Sequence, residues 1–184
     1  MSITPVNEDL KRAVMEKYDK LAGKKDLLKS GCCSGESDVT NIMSDSYESL
    51  EGYFAEADLG LGCGLPTQFA KIRKGDAVLD LGSGAGNDCF IARKECGEEG
   101  EVVGVDFVES MVKRANENTE KLGYKNVRFI LADIEDMPLD PNSFDVVVSN
   151  CVLNLLPDKT KIFKEIYRVL KPRAHFSISD IVLV

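Results

Sequence analysis

The residues of this chain best suited to chemistry are a set of acids around a glycine-rich turn and a group of cysteines. The turn is VLDLGSGAGND (78–88). Gly82, Gly84 and Gly86 let the backbone reverse tightly and let a ligand approach it closely. Asp80 precedes the turn and Asp88 follows it, while Asp106 ends the next strand-like run, EVVGVD, 24 positions after Gly82. An acid at that spacing can accept two hydrogen bonds from a ribose diol at the switch point of an open sheet. The glycines run GxGxG and not the GxGxxG of dinucleotide sites. A helix N-terminus favours pyrophosphate, but Asp80 and Asp88 beside it would repel phosphates. They suit a cationic ligand carrying an ammonium and a sulfonium, which selects S-adenosylmethionine over NAD. Asp88 has an equally good second reading, as a first-turn acid complementing the helix dipole. For Asp80 a purely structural role is less suitable, because an unpaired buried carboxylate is costly.

The cysteines stand at 32, 33, 63, 89, 96 and 151. No pair has CxxC spacing and the sole histidine is His175, so neither a structural zinc site nor a disulfide scaffold is expected. Cys89 and Cys96 lie seven apart on one predicted helix with Phe90 and Ala92, and read as core. Cys151 follows Asn150 at the C-terminal end of a strand, where open α/β sheets place their ligands. On its residues alone it is balanced between ligand and packing. Cys63 alone reads as a residue of the glycine-rich loop GLGCGLP (60–66). The vicinal Cys32-Cys33 pair in a polar loop suits a reactive or relay role. His175, in an apolar strand, reads as structural.

These residues need a scaffold to hold them. The chain has 184 residues, 43% hydrophobic, which suits one domain with a real core. Continuous apolar runs at AVLDLG (77–82), EVVGVD (101–106), NVRFILAD (126–133), FDVVVSN (144–150) and HFSISDIVLV (175–184) read as parallel strands buried on both faces. Helices are expected over Asn87–Cys96, Glu109–Leu122 and Lys159–Leu170, the last ended by Lys171-Pro172. The alternation predicts a doubly wound α/β sheet. Residues 72–184 are expected to form the nucleotide-binding domain. Residues 1–71 read as a helical and loop extension, with a helix over Val6–Leu21 and a short one from Pro66, serving as a lid. A net charge of −8 disfavours nucleic acid as partner. No apolar run approaches the ~20 residues of a membrane span, and MSITPVNEDLKR lacks the order of a signal peptide. A cytoplasmic protein without membrane contact is expected.

VLDLGSGAGND, GVD and ADIEDMPL together resemble the class I S-adenosylmethionine-dependent methyltransferases, from Ile72 to the end of the chain. That resemblance implies that Asp80, Gly82, Ser83, Gly84, Asp88 and Asn150 line the methionine side of the cofactor. It implies that Asp106 holds the ribose, that Phe107 and Met111 flank the ribose or adenine, and that Asp133, Ile134 and Glu135 lie at the adenine edge. LGLGCGLPTQFAKIRKGDAVLDLGSGAGNDCF, SNCVLNLLPDK and the CC pair are similar to the arsenite S-adenosylmethionine methyltransferases. The family then implies trivalent arsenic bound at Cys63 and Cys151, with Cys32 or Cys33 in a disulfide relay. It also implies arsenite or a thiol conjugate as substrate and an external reductant of the thioredoxin or glutathione type. The chain departs from the pattern twice. It offers five strands, in the expected order 3-2-1-4-5, where the family has a further terminal hairpin and a third arsenic-binding cysteine; a shortened form is therefore expected. It also has Pro172-Arg173-Ala174 where Pro-Gly-Gly is usual, and Arg173 is expected in an ordinary turn. Other readings are a methyltransferase for another small molecule, such as a quinone, or a non-catalytic metalloid- or cofactor-binding protein.

Overall fold

The computed structural model describes residues 5–22 and 46–181; Cys32 and Cys33 lie outside the described residues. Five strands form one parallel sheet: β1 (Ala77–Leu81), β2 (Glu101–Asp106), β3 (Val127–Leu131), β4 (Phe144–Asn150) and β5 (Leu170–Ser179). Their spatial order is β3-β2-β1-β4-β5, as the alternation of strand and helix predicts. The three inner strands β1, β2 and β4 are buried on both faces, as expected. The edge strands β3 and β5, also read as buried on both faces, keep exposed residues such as Leu131 and Phe176 because each pairs on one side only. On one face Val78, Val102, Val146 and Val148 pack with Cys89, Phe90 and Cys96 of α3 (Asn87–Cys96) and Met111 of α4 (Glu109–Leu122). On the other, Leu79, Leu81, Val103, Val105 and Val147 meet Ile162, Ile166 and Val169 of α5 (Lys159–Val169). Each such side chain contributes roughly 1.5–3 kcal/mol on burial. Cys89 and Cys96 are fully buried, as core cysteines should be.

The helices start and stop for local reasons. Asp158 caps α5, its carboxylate accepting the Thr160 and Lys161 N–H groups at 3.0 and 3.2 Å. α3 begins directly after Gly86, whose φ of +97° lets the turn feed the helix. Helix α1 (Pro5–Ala22) packs on α4, and the short α2 (Pro66–Phe69) lies against β5. Among the described residues no helix is long and apolar enough to cross a membrane.

Two expectations fail at the α5–β5 junction. The helix ends at Val169, and β5 begins at Leu170 instead of His175. The register explains it: Phe144 pairs with Leu170 and Val146 with His175, so the intervening residues bulge out of the ladder. A bulge on an edge strand can hold Pro172, which has no N–H to donate. Arg173 in that bulge has φ +72° and is not in an ordinary turn. A side chain in this region costs roughly 1–2 kcal/mol, so Arg173→Gly is expected to stabilise the fold by about 1 kcal/mol. Urea denaturation at equilibrium measures the gain.

Candidate functional site

The C-terminal ends of β1, β2 and β4 open into a cleft that is partly continuous with solvent. Asp80 enters it from β1, and Gly82, Ser83 and Gly84 follow in the turn. Gly82 has φ +71°, and a Cβ there would stand 2.3 Å from Val152 Cγ2, so only glycine fits. Asp88 reaches the cleft from the first turn of α3, Asp106 from the end of β2, and Phe107 from the residue after it. Asp133 and Ile134 border it beyond β3, and Asn150 and Cys151 beyond β4. Met111 is not among the lining residues; it is 1% exposed, in the core beneath α4.

Lys11 on α1 was not legible as a site residue, yet it lines the cleft and donates to Asp133 at 2.6 Å and to Glu135. Glu135 is thus held by this ion pair and does not itself line the cleft. Burial raises the Asp133 carboxyl, but the Lys11 ammonium and the Glu135 N–H outweigh it and hold it below its usual range. Val14 and Tyr18 of α1 also border the cleft.

The remaining carboxylates have no such partner. Burial, then the charges of Asp88 and Asp106, push Asp80 well above the usual carboxylate range, against a hydrogen bond from Cys89 Sγ at 3.2 Å. Burial pushes Asp88 up to about 6, against hydrogen bonds from Asn150 and Tyr47 and with the Asp58 charge adding to the rise. Burial raises Asp106 as well, although its two oxygens accept the Gly84 and Val108 N–H groups, each at 2.9 Å. Among the described lining residues Lys11 is the only lysine or arginine, and Asp133 and Glu135 occupy it. The cleft therefore holds buried negative charge that a cationic ligand would neutralise. Ser83 Oγ, Asn87 Oδ1 and Asp88 Oδ1 are buried there without a hydrogen-bond partner. A polar, positively charged nucleoside derivative such as S-adenosylmethionine fits this set.

Asn150 links the acids to the cysteines. Its Oδ1 accepts the Cys63 N–H at 3.0 Å, and its Nδ2 donates to Gly64 O at 2.8 Å and Asp88 Oδ2 at 3.1 Å. The glycine-rich loop thereby folds over the end of β4 and brings Cys63 to Cys151. The structure joins the two sulfurs in a disulfide, with the Cα atoms 5.8 Å apart. No disulfide is expected from the sequence; the structure holds this pair oxidised, because the loop folded over β4 brings the two residues together. Cys151 has φ +55° and donates its N–H to Ser179 O at 2.8 Å, so β5 holds the residue in place. Among the described residues no group of three or more His, Cys, Asp or Glu side chains converges to hold a metal ion.

The family model described as a methyltransferase domain matches residues 72–184. The chain is 46% identical to the arsenite methyltransferase of Halobacterium salinarum over 154 residues, covering 83% of this chain and 39% of that protein. It is 35% identical to the arsenite methyltransferase of Aquipseudomonas alcaligenes over 180 residues, covering 92% of this chain and 50% of the relative. Among solved structures, it is similar to CrArsM, an arsenic(III) S-adenosylmethionine methyltransferase from Chlamydomonas reinhardtii. There the TM-score is 0.60 at 43% identity, over 65% of this chain and 42% of the other. The chain spans half or less of the length of these three relatives.

Proposed function

This chain belongs to the methyltransferase family, and from that premise we propose that it transfers a methyl group from S-adenosylmethionine to trivalent arsenic. One juxtaposition carries the reading. A cleft of buried, uncompensated carboxylates is bordered by Cys151, and Cys63 stands close enough to Cys151 to bond to it. The carboxylates suit an ammonium and a sulfonium, and soft thiolates are the ligands that thiophilic arsenic prefers.

In this reading Asp80 and Asp88 face the cationic end of the cofactor, with Ser83 Oγ and Asn87 Oδ1 supplying unused hydrogen-bonding capacity. Each Asp106 oxygen accepts one backbone N–H and keeps lone-pair capacity for a ribose hydroxyl. Phe107, Asp133 and Ile134 border the nucleobase end. Bound S-adenosylmethionine supplies an electrophilic methyl carbon on its sulfonium. Helix α1 acts as a lid, since it reaches across to Asp133 and Glu135 through Lys11.

Arsenic binding requires the Cys63–Cys151 disulfide to be opened. Two equivalents of an external thiol, of the glutathione or thioredoxin class, reduce it to two cysteines and leave as one disulfide. The reduced pair then holds arsenic through two sulfurs. A third position falls to the external thiol or to Cys32 or Cys33. Fixing the arsenic lone pair toward the cofactor end of the cleft is an orientation effect, worth up to roughly 7–11 kcal/mol in well-ordered cases. The nucleophilic lone pair carries no proton, so no general base is needed. Thiols that must cycle between oxidised and reduced forms suit a reducing cytoplasm.

Incubation of the reduced protein with arsenite, isotopically labelled S-adenosylmethionine and glutathione tests the proposal. Labelled methylarsenic is the expected product. Cofactor binding without methylarsenic would overturn catalysis by this chain and favour the cofactor- and metalloid-binding reading.

A further inference from the structure

Tyr47 belongs to none of the motifs in the sequence, yet it stands where the acid cleft and the cysteine loop meet. Its ring is 7% exposed and packs with Leu65 and Ile91. Its hydroxyl lies 2.9 Å from Gly64 O and 3.1 Å from Asp88 Oδ2, so its one hydrogen can serve either acceptor. The same oxygen accepts a hydrogen bond from Asn150 Nδ2. The loop is seated directly on this pair. A Cβ at Gly62 would stand 2.9 Å from both Tyr47 Oη and Asn150 Nδ2. Cys63 follows immediately, with its N–H on Asn150 Oδ1 at 3.0 Å, and Cys151 is the residue after Asn150.

We propose that Tyr47 is a positioning residue that, with Asn150, ties the Cys63 loop to Asp88 and so sets the separation of the Cys63 and Cys151 sulfurs. Without the hydroxyl, Gly64 O and Asp88 Oδ2 can still take one hydrogen each from Asn150 Nδ2, but the loop loses the bond from Tyr47 Oη to Gly64 O and its seat against that oxygen at Gly62. The loop then samples a wider range of positions, and the sulfurs meet less often. Its importance for arsenic rests on the function proposed above; the tie itself does not.

The thiol–disulfide equilibrium reads the tie directly. Two glutathione molecules reduce the Cys63–Cys151 bond to two thiols and become one oxidised glutathione. The full chain is equilibrated in buffers of defined glutathione ratio and alkylated, and the Cys63 and Cys151 peptides are quantified by mass spectrometry. Tyr47→Phe is expected to lower the equilibrium constant for disulfide formation by about three- to tenfold, as for loss of one hydrogen bond. A tenfold change corresponds to about 30 mV in potential. Tyr167→Phe, on the exposed face of α5, serves as the control and is expected to match the wild type. Asn150→Gln, which keeps the amide but displaces it, is expected to shift the constant in the same direction and provides the second variant. A folded Tyr47→Phe protein with a constant within twofold of the wild type overturns the proposal. Arsenite titration of the reduced variants separates the two claims. A shifted redox constant with unchanged arsenite affinity upholds the positioning role and removes arsenic binding from it, whereas absence of arsenite binding in the reduced wild type contradicts the function proposed above and leaves the tie standing.

Discussion

Cys151→Ser is expected to reduce kcat/KM for arsenite by on the order of 10³ while leaving the dissociation constant for S-adenosylmethionine within about twofold. Serine is nearly isosteric with cysteine. It can hold the same φ of +55° and the same N–H bond to Ser179 O, so the end of β4 keeps its shape. The carboxylates of the cleft are untouched. The soft ligand alone is lost: a hydroxyl is not ionised at neutral pH and binds arsenic poorly compared with a thiolate. With one sulfur remaining, arsenic can rotate about a single bond, and much of the orientation advantage disappears. A 10³-fold loss corresponds to about 4 kcal/mol, well within the ~7–11 kcal/mol available from orientation. Steady-state assay of methylarsenic formation, beside calorimetric titration of the cofactor, checks both halves. Cys63→Ser is expected to behave alike, because its sulfur occupies the other half of the pair.

Asp88→Asn is expected to strengthen the ligand-free fold at pH 7.5 and to weaken cofactor binding by about 10²-fold. Both effects have one cause. Asp88 is raised from 3.8 to about 6 because burial disfavours its charge, a penalty of about 3 kcal/mol on the ionised form. For an acid whose folded pKa is raised, the protonated form favours folding. The wild-type protein therefore loses this stability as pH rises from about 3.8 to about 6, and the penalty is complete above 6. The asparagine oxygen can keep the bonds from Tyr47 and Asn150 to the position of Oδ2, and its nitrogen replaces the unpartnered Oδ1. Thermal unfolding should show a higher melting temperature for the variant at pH 7.5, with the difference shrinking as pH falls through 6. Cofactor affinity of the wild type should fall about tenfold between pH 7 and pH 5 as Asp88 gains its proton, while the variant stays flat over that range.

The sheet was legible because its rule is simple. Runs such as AVL (77–79) and VVV (146–148) are apolar at consecutive positions, which parallel strands covered on both faces require, and glycine or acid punctuation closes them. The edge strand was less legible. The bulge between Leu170 and His175 depends on pairing with β4, and nothing within KPRAHF signals it. Asp80, Asp88 and Asp106 were placed from the motif spacing and Asn150 from the family resemblance, and the structure gathers them at one cleft. Tyr47 and Lys11 were missed for a physical reason. Each acts through long-range contacts, 41 positions to Asp88 for one and 122 to Asp133 for the other, which no local periodicity encodes. Cys89, read as core, is buried as expected and also donates to Asp80, a role that its helical spacing hides.

In the proposed reaction arsenic is held by Cys63 and Cys151, the second of which borders the acid cleft. Arsenic K-edge X-ray absorption on the full chain tests it most directly, with the protein reduced by a phosphine, loaded with one equivalent of arsenite and free of added thiol. The account predicts sulfur coordination including both Cys63 and Cys151, with sulfur lost in each single serine variant and further reduced in the double variant. An unchanged sulfur shell in the Cys63→Ser, Cys151→Ser double variant, or an all-oxygen shell in the wild type, would contradict it.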